Sequence, residues 1–172
     1  PEVDVSADVL TADATGFIDL DTQVSSVDAS ATALGSITLM EVDDIILSDL
    51  DTVDGLISVE AGGQIFAVDV NTSASDTDNN DVLLTSKTAG IEVDLIVAGI
   101  VNDVVLDAQG GPITQDGDID PDVFADQLMA DAEGGIHLDT ALIGLDASTS
   151  SLGDILINEV DMIHLRDLDT RD

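Results

Sequence analysis

Cysteine, tryptophan and tyrosine are absent from this 172-residue chain, and lysine and arginine together number only three. Without cysteine there is no disulfide framework, no thiolate metal ligand and no thiol nucleophile. The only aromatics are Phe17, Phe66 and Phe124, so the aromatic platforms common in sugar-binding sites have almost no material. Lys87, Arg166 and Arg171 face 37 Asp plus Glu, for a net charge of −34. A field of that sign repels nucleic acid and anionic lipid. No run approaches the roughly 18 apolar residues of a membrane helix, so no membrane insertion is expected. The chain opens at Pro1 without a signal-peptide pattern, and the expectation is a mature or excised segment of a longer protein.

What is present is a large apolar set, 44% of residues, which places the chain outside compositional disorder. Ile, Val, Leu and Ala dominate it. Side chains of that kind suit narrow, regularly stacked layers. The acids, mostly Asp, are scattered as singlets and doublets among the apolar residues, a pattern of solvated turns and strand faces.

An internal repeat organises the chain. Residues 7–54 align without gaps on 125–172 at an offset of 118, with 27 of 48 positions identical. The shared residues include Ile18/Ile136, Leu20/Leu138, Leu34/Leu152, Gly35/Gly153, Ile37/Ile155, Ile45/Ile163, Leu47/Leu165 and Leu50/Leu168. They also include Asp21/Asp139, Asp28/Asp146, Asp43/Asp161, Asp49/Asp167 and Asp51/Asp169. A shorter period lies inside the long one: a small or polar residue followed by alternating aliphatics, starting at residues 16, 35, 55, 80, 102, 134 and 153. Alternation of apolar residues marks strands with one buried face, and the Gly, Asn and Asp between them mark turns. This divides the chain into 1–15, the end of a preceding repeat, 16–133, one full repeat of five coils, and 134–172, the first two coils of the next.

The expected fold is all-β: a parallel β-solenoid with coils of about 19–22 residues and two longer coils carrying loops near 71–80 and 114–122. Ile37, Ile57, Val82 and Val104 should form one interior column, and Leu39, Val59, Leu84 and Leu106 the next. A tandem of β-sandwiches, calcium-dependent in the manner of adhesin modules, is the alternative all-β reading. Residues 122–132 (DVFADQLMADA) offer the one stretch where a helical turn or two competes with a strand.

The phrases AGGQIFA, DVLLTSKTAGIEV, DVVLDAQGGPIT and GIHLDTALIGLDASTSSLGDILINEVDMIHL resemble repeats of giant bacterial surface exoproteins and adhesins related to filamentous haemagglutinin. The similarity runs over essentially the whole chain. It implies a right-handed parallel β-helix, export to the cell surface, and a role in adhesion or matrix formation. The acidity exceeds what that resemblance requires and suggests a saline or calcium-rich setting.

Calcium is the sharpest site expectation, because hard cations take oxygen ligands from Asp and Asn on tight loops. Two runs carry it: Asp76, Asp78, Asn80 and Asp81, and Asp116, Asp118, Asp120 and Asp122. A third run, Asp49-Leu-Asp51-Thr-Val-Asp54, has a similar look. The first run resembles the opening of an EF-hand loop, but Lys87 stands where the closing Glu belongs. Ordinary solvated turns are the competing reading of all three. His137 and His164 alternate with aliphatics and should point outward. Ser25, Ser26 and Ser30 have no nearby His for a nucleophilic triad. Gly62-Gly63, Gly110-Gly111 and Gly134-Gly135 lack the following Lys of a phosphate cradle and fit coil corners.

The resulting expectation is a non-enzymatic structural segment of a secreted, acidic bacterial surface or filament protein. It would act as a stiff rod, with copies of itself and cell-surface or matrix components as partners. A polysaccharide-degrading β-helix enzyme, with an acid pair such as Asp43-Asp44 as general acid and base, is the rival from another class.

Overall fold

The computed structural model describes every residue except Pro1, Asp76, Asp78, Asp118 and Asp172. Sixteen strands run in chain order through the described residues. They are β1 (Val5–Ala14), β2 (Ile18–Leu34), β3 (Ile37–Glu41), β4 (Ile45–Asp54), β5 (Ile57–Ala61), β6 (Ile65–Ala67), β7 (Val70–Asn71) and β8 (Val82–Ser86). They continue as β9 (Ile91–Val93), β10 (Ile96–Val97), β11 (Asp103–Ala108), β12 (Ile113–Gln115), β13 (Val123–Ala132), β14 (Ile136–Leu152), β15 (Ile155–Glu159) and β16 (His164–Arg171). Each pairs in parallel with the strand one coil away. The chain is an all-β parallel solenoid. The 122–132 stretch, where a helix competed, is strand β13; its alternating burial satisfies the period of two.

Stacking coils place like residues on like. One column runs Ile18, Ile37, Ile57, Val82, Val104, Leu128, Leu145 and Leu165, eight rungs. At about 4.8 Å per step it is about 34 Å tall. A second column is isoleucine throughout: Ile45, Ile65, Ile91, Ile113, Ile136 and Ile155. A third runs Leu50, Val70, Ile96 and Val123. Apart from the terminal rungs these side chains are buried. Each contributes about 1.5–3 kcal/mol through removal from water. The expected columns of Ile37 to Val104 and Leu39 to Leu106 are both present and buried.

At the corner that opens the first column, glycine stacks on glycine. A Cβ on Gly35 would collide with the backbone of Gly16, and one on Gly55 with that of Gly35. Only a residue without a side chain lets successive coils approach this closely. The loops between β7 and β8 and between β12 and β13 fall where the longer coils were expected.

The long repeat fits the solenoid differently from the expected five coils. Val104 is followed in its column by Leu128, 24 residues on, so the 32-residue spacing is not one coil. Ile18 belongs to the first column, but its counterpart Ile136 belongs to the isoleucine column. Local pairing is kept, Ile18 with Ile37 and Ile136 with Ile155. The repeat therefore advances five coils and part of a sixth, and its second copy lies on a different side of the rod.

Candidate functional site

The acid-rich loops bring their residues to quite different places. Asp76 and Asp78 lie outside the described residues, as does Asp118. Asn80 is fully buried, and its Oδ1 accepts the Gly55 N–H at 2.8 Å. Its own N–H donates to Asn102 Oδ1 at 3.0 Å, and Asn102 Nδ2 donates to the Ala98 carbonyl at 3.0 Å. The two asparagines thus continue the corner begun by the stacked glycines and satisfy backbone groups that a buried turn would otherwise orphan. Asp81 Oδ1 accepts the Asp103 N–H at 2.9 Å, and Asp54 Oδ1 accepts the Thr77 hydroxyl at 2.9 Å.

In the second run Asp116 and Asp120 are exposed, whereas Asp122 is buried. Asp122 Oδ2 accepts the Asp139 N–H at 2.6 Å, and 118 residues earlier Asp4 Oδ2 accepts the Asp21 N–H at 3.0 Å. At Asn80 and Asp122, then, the hydrogen bonds clip one coil to the next. Among the described residues no three acidic or histidine side chains converge at metal-ligand spacing. His137 and His164 point outward, as their alternation with aliphatics implied.

Two further clips recur in both copies, and sequence reading passed over them. Glu41 is buried; its Oε2 accepts the Thr22 hydroxyl at 2.8 Å and the Val24 N–H at 2.9 Å. Its Oε1 accepts the N–H groups of Val42 at 2.8 Å and Asp43 at 3.3 Å. Glu159 repeats the arrangement with Thr140, Leu142, Val160 and Asp161. Asp13 accepts the Ser30 hydroxyl, and Asp131 that of Ser148. The available signal was identity between the copies at Thr22/Thr140 and Glu41/Glu159, two uncharacteristic residues in an Asp-dominated set.

Other acids form ladders along the rod. Asp28 pairs in register with Asp49, and Asp51 with Asn71. Burial raises the Asp51 carboxyl above its ordinary value, with help from the negative charges of Asp49, Asp69 and Asp28. Burial likewise raises Asp69, with Asp49 and Asp94 adding to the effect. In a second ladder burial raises Asp103, reinforced by Asp81 and Asp126 and opposed by Arg166 and the Gln127 backbone. Like charges at successive coils disfavour ionisation, so these ladders can hold protons or concentrate cations.

The acid pair of the enzyme reading, Asp43-Asp44, sits at the turn gripped by Glu41. It lines a shallow groove with Ser25, Ile46 and Phe66, and Asp44 Oδ1 accepts the Gln64 N–H at 2.7 Å. Comparison with protein-family models, curated proteins and solved structures finds no match to this chain.

Proposed function

We propose that this chain is a rod segment of a secreted, acidic bacterial surface or extracellular-filament protein, of the kind the filamentous-haemagglutinin resemblance suggests. Its work is mechanical and adhesive: it holds a surface at a distance or builds matrix, with copies of itself and cell-surface components as partners. The observation that carries this reading is the first column, whose eight rungs continue without interruption and are flanked by hydrogen-bonded clips repeated between the copies. Each coil boundary is held by several backbone hydrogen bonds of a parallel ladder directed along the axis. The outward acids keep rods apart in dilute salt, and calcium at solvated loop acids such as Asp116 and Asp120 would bridge neighbouring rods. The second observation is the shift of the repeat to another side of the rod, which distributes the repeated surface around the axis.

Immunogold labelling of the producing cell tests the reading. Label along filaments outside the envelope supports it; label confined to the cytosol rejects it. Incubation with acidic and neutral polysaccharides tests the enzymatic rival, since new reducing ends that vanish in Asp43→Asn would replace the structural role with a catalytic one.

A further inference from the structure

The two copies of the repeat keep their clips and diverge beside one turn. The first-copy groove at this turn is acidic, lined by Ser25, Asp43 and Asp44. Their counterparts 118 residues on are Ile143, Asp161 and Met162, and these line a larger open groove of about 650 Å³. Phe124 and Ala141 line it too, where the first copy has Ser6 and Gln23. Four replacements of a polar residue by an apolar one, at 124, 141, 143 and 162, thus converge on one surface feature. Two more, Met129 for Thr11 and Leu156 for Thr38, lie outside it.

The groove floor is a ladder. Val97, Phe124 and Ala141 stand in register on three successive coils. Gly99, at φ 94°, turns the chain where Ile100 enters the groove wall. Ile100 and Ile143 are 73% and 51% exposed, while Met162 lies on the terminal coil, where β16 is exposed throughout. Exposed apolar surface of this extent costs free energy in water and marks an interaction site when it is contiguous. The floor strands pair on both sides, so recognition here runs through side chains and not through strand addition. The lining extends from Ser73 to Asp161 across five coils. That is about 19 Å, the length of about six residues of extended peptide.

We propose that this groove docks an extended segment of another protein whose apolar side chains alternate with Lys or Arg. The apolar side chains fill the space over Phe124 and Ile143. The basic ones meet Asp161 at the rim and the wider field of a chain with net charge −34, which repels acidic segments. The inference stands apart from the rod reading: a rod that binds no peptide and a peptide-binding segment that forms no filament are separate outcomes.

Fluorescence anisotropy with labelled hexapeptides tests it on the intact chain at physiological ionic strength. The probes alternate Leu with Lys, Ser with Lys, and Leu with Glu. The variant carries Phe124→Ser and Ile143→Ser, residues the first copy of the repeat already holds at these positions. The Leu–Lys peptide should bind at least about tenfold more tightly than the Ser–Lys peptide, a difference of about 1.4 kcal/mol. The variant should lose that advantage while its melting midpoint stays within a few degrees of the parent. Equal binding of the two Lys peptides would show attraction by charge alone and overturn the proposal. So would an undiminished Leu–Lys affinity in the variant, or displacement of the peptide by a neutral hexasaccharide. If the double variant melts early, the single Ile143→Ser change, at a half-exposed position, carries the same comparison.

Discussion

Glu41 carries four hydrogen bonds on one buried carboxylate, and two of them reach back across a coil boundary to Thr22 and Val24. Glu41→Ala strands those donors in an interior where each unpaired group costs about 1–3 kcal/mol, so a loss of several kcal/mol is expected in denaturant unfolding. Thr22→Val removes a single donor and should cost about 1 kcal/mol. The outward ladders behave in the opposite sense. Asp51, Asp69 and Asp103 have raised carboxyl values in the fold, so between the ordinary value near 3.8 and those raised values the native state binds more protons than the unfolded chain. Stability contributed by these groups therefore rises as pH falls through that window and is lost as pH climbs out of it. Melting midpoints from neutral pH down to about pH 4 should show the gain, and Asp51→Asn should flatten it. An unchanged slope in that variant would show that the ladder is too well screened to matter.

At the scale of the element, inward and outward residues of one strand should respond unequally. Ile65 is fully buried in the isoleucine column, and Ile65→Ala should cost about 2–5 kcal/mol. Ile46 points outward on the strand that Ile65 stacks upon, and Ile46→Ala should stay within about 0.5 kcal/mol. The glycine corner gives a complementary case. Gly35→Ala forces two backbones apart where the coils touch, with an expected cost of about 1–3 kcal/mol, although alanine is ordinarily the better residue for chain entropy. Urea midpoints of the three variants check the order.

At the scale of the whole molecule, charge and core oppose each other. A net charge of −34 on this rod makes self-repulsion long-ranged, so its melting midpoint should climb steeply with sodium chloride between about 10 mM and 1 M, as the screening length shrinks from about 30 to 3 Å. Calcium separates two readings of the loops. A midpoint that rises with millimolar calcium, beyond what equimolar magnesium gives at constant sodium, means ligation within the fold. Equal responses mean screening, with the Ile, Val and Leu columns sufficient on their own.

What the sequence determined by itself is the solenoid: its alternating strands, the turns between them, and the two columns that run through Ile37 and Leu39. Alternating aliphatics that recur about once per coil bury one face when the coils stack, and Ile37, Ile57, Val82 and Val104 form a buried column accordingly. What only the tertiary structure decided is where the coils close. The spacing from 102 to 134 suggested a single coil, but pairing is set by which residues meet across about 4.8 Å, and Leu128, not a residue past the start at 134, follows Val104 in its column. The clips were hidden for the same reason. Asn80 and Asp122 look like loop acids and amides in one dimension, and only the neighbouring coil supplies the N–H groups that turn them inward. The apolar groove is assembled from residues 73 to 162 on five separate coils, and no local window of sequence holds enough of them to show it.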